Sequence, residues 1–533
     1  MSEPKRLNLP EAEADALLQR LEAGALKADD YQLLGVMLKS WLWLSGVVQH
    51  NRITIKELKK LIFGARTEKT REVLNGKATG KANGEGDAPA KKRKGHGRNG
   101  SDAYTGADRV CLKCATVQPG DRCTACGKGR LYPCKPSEIV CIRGQAPIHA
   151  TVYEQERLRC NLCGAWVKAT VPEEAAGPKY DPGAASMMGL LHYGCGFPFN
   201  RLEALQDNLG VPLPSSTQWD VLNSMAREIH PVFEAINRQA AQGEIFHNDD
   251  TNGRVLALEK QIAEEVEACR ARGESCRTGV FTSGIVAMTG GRHIALFFTG
   301  RKHAGENLGD LLDQRPEDLP SPIQMCDALS RNAPPGFNRL LANCLCHGRR
   351  EFVKLIEDFP DACRYVLETL REVYRNDAFA RDQGMSKEER LVFHQHNSKP
   401  IMDTFLDWLN AQLDEKTIEP NSRMGGAINY MLKHWEPLTL FLRVPGAPLD
   451  NNICERALKN PIRHRNNSLF FKTERGALVG DVFMSLIHTC RLNGVNAFEY
   501  LRAIAQHARQ VAAAPEQWLP WNYCDELPGA HNR

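Results

Sequence analysis

The alternation of apolar and polar positions is clearest at residues 243 to 258, where Ile245 and Phe246 run into two adjacent acids, Asp249 and Asp250. Gly253 follows, then Val255, Leu256 and Leu258. This pattern predicts a β-strand that delivers a carboxylate to its end, a turn, and a returning hairpin strand. Gly279-Val-Phe-Thr-Ser-Gly-Ile-Val-Ala-Met and Arg292-His-Ile-Ala-Leu-Phe-Phe-Thr are also strand-like, and Ala304 to Leu312 is helical in pattern. Pro322-Ile-Gln-Met-Cys-Asp then reads as a short apolar strand ending in Asp327.

Three antiparallel strands, a helix and a strand carrying an acid follow the order of a ribonuclease-H-like α/β core. In that layout the ends of the first and fourth strands are neighbours, so Asp249 and Asp327 would face each other. Residues 352 to 445 are helical in pattern, with Phe352, Leu355, Ile356 and Phe359 on one face and Ser386-Lys-Glu-Glu as a capping box. They read as an insertion. After them Asp450 is expected to cap a helix that carries Glu455 on its second turn.

The N-terminal region repeats apolar residues at three-four spacing, through Leu33, Leu34, Met37, Leu38, Trp41, Leu44 and Val48. Such a stripe must be buried, against its own chain or a second subunit. The boundaries that follow are a helical region at 1–75 for oligomerisation or DNA binding, a flexible basic linker at 76–108 and a zinc ribbon at 109–180. A helical connector at 181–242, with possible DNA binding, leads into the core. The core is read as 243–351 and 446–533, interrupted by the insertion at 352–445.

Composition narrows the class. The chain has 533 residues, 42% hydrophobic and 25% charged, which is ordinary for a globular protein of several domains. No apolar run approaches the roughly 20 residues needed to span a bilayer, and the first residues lack the apolar core of a signal peptide. A cytoplasmic, non-membrane protein is expected. Net charge is only +4, but cations cluster at 91–98 and 456–475. Lys91, Lys92, Arg93, Lys94 and Arg98 lie in a glycine-rich stretch with little to bury, which suits salt-sensitive phosphate contact. Arg456, Lys459, Arg463 and Arg465 follow Glu455 with Phe470 and Phe471 nearby, a combination that suits a phosphodiester substrate.

Eighteen cysteines in a large chain of this kind point to metal rather than disulfides. Cys111/Cys114, Cys123/Cys126 and Cys160/Cys163 are three Cys-x-x-Cys pairs. Cys123, Cys126, Cys160 and Cys163, separated by strand-like segments at 138–142 and 148–153, are favoured as one structural zinc site. Cys111/Cys114 with Cys123/Cys126 is the other pairing.

Taken together, Asp249-Asp-Thr, Asp327, Cys344-x-x-His347 with Arg349 and Arg350, and Asp450-Asn-Asn-x-x-Glu455-Arg resemble the motifs of the insertion-sequence-66 type transposases, the TnpC proteins. Phe63-Gly-Ala-Arg-Thr-Glu-Lys, Gly95-His-Gly-Arg-Asn-Gly and Ser485-Leu-Ile-His-Thr-Cys-Arg-Leu-Asn-Gly add to the likeness, which covers most of the chain in order. Asp250 stands where that family usually has Glu, and Cys346 and Cys111/Cys114 are additions. The resemblance implies an Asp-Asp-Glu catalytic triad of Asp249, Asp327 and Glu455 holding two Mg²⁺ or Mn²⁺ ions. The implied activity is metal-dependent cleavage at element ends and 3′-hydroxyl strand transfer into target DNA. The implied partners are terminal inverted repeats, target DNA, further copies of the chain and small accessory proteins. His347, Arg349 and Arg350 either orient phosphate or support the core. An inactive zinc-ribbon DNA-binding protein and a nuclease without strand transfer are the competing readings.

Overall fold

The computed structural model describes residues 177–527, apart from 275 and 335, and before them residues 17, 20–21, 27, 30–31, 33–35, 118–122, 128, 130, 147–159, 166–170 and 172. The linker at 76–108, the cations from Lys91 to Arg98, the zinc-ribbon cysteines and most of 1–75 lie outside the described residues. Residues 148–153, expected as a strand, are irregular. A short antiparallel hairpin instead pairs Arg157–Arg159 with Trp166–Lys168.

The molecule contains two compact units, one of residues 1–80 and 348–433, the other of 81–347 and 434–533. The second is built on a five-stranded mixed sheet. Its strands are β1 (Ile245–Asn252), β2 (Phe281–Thr289), β3 (Arg292–Gly300), β4 (Ile323–Cys326) and β5 (Leu340–Asn343). They lie in the order β3-β2-β1-β4-β5. β2 runs antiparallel to its two neighbours, β1 and β3, whereas β4 and β5 run parallel to β1.

The helices before the sheet are α1 (Pro182–Gly189), continued by a π-helical turn at Leu190–Gly194, α2 (Phe199–Asn208) and α3 (Ser215–Ala241). They are not a detached connector: Leu222, Met225, Ile229, Val232, Phe233 and Ile236 of α3 share one hydrophobic core with Phe246, Ile285, Val286 and Leu296 of the sheet. The expected hairpin after β1 is absent. Leu256–Arg272 is a helix, α4, and the antiparallel partner of β1 comes only after it. Leu-Ala-Leu-Glu-Lys-Gln-Ile-Ala-Glu-Glu is rich in strong helix formers, and Leu258 and Ile262, four apart, bury with Val255, Val280 and Ala477. Only Val255 keeps a strand-like contact, one parallel bridge to Phe471.

Helix α5 (Ala304–Leu312) precedes β4, and α6 (Leu345–Leu355) follows β5. Residues 348–433 continue with α7 (Pro360–Asp382), α8 (Lys387–Asn397), α9 (Lys399–Asp414) and α10 (Arg423–Lys433). Val366, Leu370, Val373, Met402, Phe405 and Leu409 are fully buried there. Ser386 and Glu389 form the capping box at the start of α8, with Ser386 N–H donating to Glu389 at 2.8 Å and Glu389 N–H to Ser386 Oγ at 3.2 Å.

The chain returns to the sheet-bearing unit at His434, and α11 (Asn452–Ser468), α12 (Glu474–Leu492) and α13 (Ala497–Gln506) follow there. Helix α12 is buried on nearly every side and solves a problem the sheet creates. β3 is an edge strand, and its outward N–H groups need partners. Thr299 N–H donates to Asp481 at 2.7 Å, Phe297 N–H to Ser485 Oγ at 2.9 Å and Ala295 N–H to Thr489 Oγ1 at 3.0 Å. Residues 481, 485 and 489 recur every four positions on α12, while the strand's N–H groups recur every two.

A buried histidine pair ties α11 to the π-helical turn. His192 Nδ1–H donates to the Phe197 carbonyl at 2.8 Å, which leaves Nε2 as an acceptor 3.3 Å from His464 Nε2. His192 also stacks on Phe199, and His464 on Phe471. Burial pushes the two rings down, His192 to about 3 and His464 to about 4. Both stay neutral in the fold but would charge in the unfolded chain below about 6.5. Their stabilising effect is therefore present above pH 6.5 and lost as pH falls through 4, with a slope of up to about 1.4 kcal/mol per pH unit for each ring. His192→Gln, which cannot take up that proton, is expected to lower the melting temperature at pH 7 and to flatten its decline between pH 6.5 and 4. Parallel curves for variant and wild type would refute the linkage.

Candidate active site

Register decides which of the two adjacent acids faces the chemistry. Asp249 pairs with Gly284 on β2, and Asp250 with Ser283. Paired residues share a face, and successive residues on a strand point to opposite faces. Ser283 Oγ accepts from Asn307 of α5 at 2.8 Å, whereas a Cβ on Gly284 would lie 2.9 Å from Leu458 of α11. Asp250 thus belongs to the α5 face, where His303 Nδ1 stands 3.0 Å and Arg331 3.4 Å from its carboxylate. Asp249 belongs to the α11 face, together with Glu455.

Asp327 follows β4 directly. The parallel pairing sets His247 opposite Met325, and its continuation by two residues brings Asp327 beside Asp249. Its carboxylate is oriented from below. Asp327 Oδ1 accepts from Leu329 N–H at 3.2 Å and from the Asn332 side-chain amide at short range. The Asn332 carbonyl in turn receives the amides of Asn248 and Gln324, at 2.8 and 2.6 Å, and Gln324 also donates to Asn248 Oδ1. This buried amide network locks the loop after β4.

Glu455 lies in the first turn of α11, not the second, and the N-cap is Asn451 rather than Asp450. Asp450 caps from one position earlier, accepting from Asn452 N–H at 3.1 Å. Asn451 is fully buried and joins three elements. Its amide donates to the Asn248 carbonyl of β1 at 3.1 Å, its Oδ1 accepts from His247 Nδ1–H at 3.1 Å, and its backbone N–H points at Cys344 Sγ at 3.3 Å. One turn on, the Cys454 thiol donates to the Gly284 carbonyl at 3.3 Å. The helix can approach this closely because Gly284 has no side chain.

The electrostatics fit a site built for cations. Burial, then the facing charge of Asp327, with Asp250 and Glu455 adding, pushes the Asp249 carboxyl up to about 7. A carboxylate raised by burial and facing acids gains from a divalent cation beside it, and oxygen donors are what Mg²⁺ and Mn²⁺ take. His347, in α6, stands with Nε2 3.8 Å from Glu455 Oε1. Burial holds His247 down, to about 4, as a neutral hydrogen-bond donor.

The structure separates the expected phosphate ligands. Arg456, Lys459 and Arg463 are exposed on the helix that carries Glu455, at spacings of three and four that put them on one stripe. Arg465 is instead engaged in holding the end of β1, through the Asn252 carbonyl and Thr251 Oγ1. Arg349 is 7% exposed, which suits a core guanidinium rather than a DNA-facing one, while Arg350 is half-buried.

Comparison with known proteins identifies the family. Residues 179–478, which include all three acids, match the family described as Transposase IS66 family. The chain belongs to the IS66 transposase family. Among curated proteins, the uncharacterized protein y4hP of Sinorhizobium fredii (strain NBRC 101917 / NGR234) is 27% identical over 434 residues, 76% of this chain and 74% of its own. The uncharacterized protein y4jD of the same strain is 33% identical over 189 residues, 34% of this chain and 36% of its own. No solved structure matches. Membership in a transposase family implies a DNA-binding, DNA-processing role for this IS66 chain. Among its described residues no helix is long and apolar enough to cross a membrane.

Sequence reasoning missed several residues of this IS66 site: Asn451 as the bridge, Asn332 as the Asp327 clamp, and Gly284. In the sequence Asn451 and Asn452 stand out only as part of the Asp450-Asn-Asn-x-x-Glu455 motif. The available signal was an Asn at a helix N-terminus with no exposed role. Asn451→Ala leaves the Asn248 carbonyl and the His247 N–H buried without their partner, which costs about 1–3 kcal/mol. Urea unfolding of the sheet-bearing unit should show that loss, and a change under about 0.5 kcal/mol would mean the bridge does not anchor α11.

Proposed function

We propose that this chain is the DNA transposase of an insertion sequence, acting through a ribonuclease-H-like core in which Asp249, Asp327 and Glu455 form an Asp-Asp-Glu triad. The observation that carries the reading is that Asp249, on the α11 face of the sheet, lies within electrostatic reach of Asp327 at the end of β4 and of Glu455 on α11: burial, then Asp327, with Asp250 and Glu455 adding, pushes its carboxyl up to about 7. The strand order supports the fold assignment: three antiparallel strands followed by two parallel ones, with the first and fourth adjacent.

Asp249, Asp327 and Glu455 would hold the divalent ions. Bound there, a pair of such ions supplies activation of a water or a DNA 3′-hydroxyl and neutralises charge at the phosphate. The chain's own part is positional. Asn332 holds Asp327, Asn451 docks the helix that presents Glu455, and His303 with Arg331 keeps Asp250 turned to the other face. The exposed stripe of Arg456, Lys459 and Arg463 suits the phosphate backbone next to the cleavage point, and the cationic linker from Lys91 to Arg98 suits contact farther along the duplex. A structural zinc held by Cys123, Cys126, Cys160 and Cys163 belongs to the same proposal, supported by the hairpin of Arg157–Arg159 with Trp166–Lys168, which flanks Cys160 and Cys163 in the chain.

A strand-transfer assay with pre-cut element ends and Mg²⁺ tests the reaction. Wild type should join ends to target, and Asp249→Asn, Asp327→Ala and Glu455→Gln should each lower joining by at least about a thousandfold while DNA binding persists. Joining that survives Asp327→Ala refutes the triad. Cutting without joining would mark a nuclease, and DNA binding unchanged in a chain that never cuts would mark a binding protein. Metal analysis checks the ribbon. Cys123→Ser and Cys160→Ser should each lose one equivalent of zinc, and full retention in both variants would break the assigned pairing.

A further inference from the structure

A second metal-competent group adjoins the three acids and is made of different donors. Cys344 Sγ, a His347 ring nitrogen and a Glu455 carboxylate oxygen all lie within 4.8 Å of one another. His347 Nε2 is 3.8 Å from Glu455 Oε1. Two nitrogen or oxygen ligands of one tetrahedral zinc ion, each about 2.0–2.1 Å from it, stand about 3.4 Å apart, so a side-chain shift of about half an ångström closes that pair.

The three donors come from fixed places. Cys344 directly follows β5, His347 is three residues on in the first turn of α6, and Glu455 is in the first turn of α11. Cys344 is fully buried, and its sulfur faces the N-terminus of α11, where the Asn451 N–H points at it from 3.3 Å. Burial pushes the Cys344 thiol up, to about 12, and the Asn451 N–H offsets only part of this, so a bound cation would have to supply the rest of the stabilisation of the thiolate. Thiolate, imidazole and carboxylate together select zinc over magnesium, and three protein ligands leave a fourth position open.

We propose that Cys344, His347 and Glu455 form a zinc site that shares Glu455 with the Asp249–Asp327 cluster. On binding, the thiol proton passes to solvent and the ion takes up the thiolate. Glu455 is then held on the Cys344 side, so zinc occupancy opposes completion of the acidic cluster. The sharing rests on the Asp-Asp-Glu reading, whereas the binding of zinc does not.

The full-length protein, stripped by a chelator, is titrated with Co²⁺ and the thiolate-to-cobalt absorption followed, then with Zn²⁺ by calorimetry. The other cysteine pairs contribute their own thiolate signal, so the reading is the difference between wild type and Cys344→Ser or His347→Gln. Wild type should take up one equivalent more than either variant, or bind it more tightly by more than the about 10–100-fold that loss of an outer partner costs. Should the buried Cys344→Ser protein fail to fold, His347→Gln, at a partly exposed position, decides alone. Equal uptake by wild type and variant overturns the site. In the Mg²⁺-dependent cleavage assay, zinc should inhibit wild type at lower concentration than Cys344→Ser, and equal sensitivity overturns the sharing of Glu455. A protein that binds the extra ion but never cleaves DNA leaves the zinc site standing and defeats the transposase reading.

Discussion

The seating of α11 on β1 and β2 is the constraint on which the site depends. Glu455 comes from a segment more than 200 residues after Asp249, so no local preference of the chain can bring the two together. A few specific contacts do: the Asn451 amide on the β1 backbone, His247 on Asn451, the Cys454 thiol on the Gly284 carbonyl, and the empty space at Gly284. Each lies on the same face of the sheet as Asp249. A docking contact that loosened here would move Glu455 and leave the other acids in place.

The surrounding fold makes that seating rigid. Helix α12 covers the open edge of β3 with Asp481, Ser485 and Thr489, and burial pushes the Asp481 carboxyl up to about 8 even though it accepts from Thr299. The His192–His464 pair holds the other side of α11 as a neutral, stacked contact. Polar groups that are buried and fully paired in this way specify one arrangement of helices, where apolar packing alone would tolerate several. Around an acidic cluster such rigidity has a chemical use, because mutually repelling carboxylates move apart unless their backbones are fixed.

The two faces of β1 divide the work between adjacent acids. Asp250 is held by His303 and Arg331 on the α5 side, and Asp249 faces Asp327 and Glu455 on the α11 side. The same alternation runs through the strand: Asn248 joins the amide network that clamps Asp327, and His247 joins Asn451. A shift of one residue in the β1 register would exchange the two sets, which is why the pairing with β2 over eight residues matters to the chemistry.

By itself the sequence determined the elements whose apolar period is strong, β1 to β4, α5 and the capping box at Ser386, and the motifs that carry the family likeness. These are local patterns, and local patterning is what a linear chain displays. It misjudged Leu256–Arg272, where alternating apolar residues after a glycine looked like a returning strand while helix-forming residues governed, and it read α3 as a connecting helix without showing that it shares the core of the sheet. Only the tertiary structure decided that Asp249 faces α11 and Asp250 faces α5, that Arg465 braces the end of β1 and Arg349 is buried, that α12 is an edge cover, and that Cys344 and His347 lie beside Glu455. Each of those depends on strand register or on contacts between residues far apart in the chain, and neither leaves a trace in the spacing of neighbouring side chains.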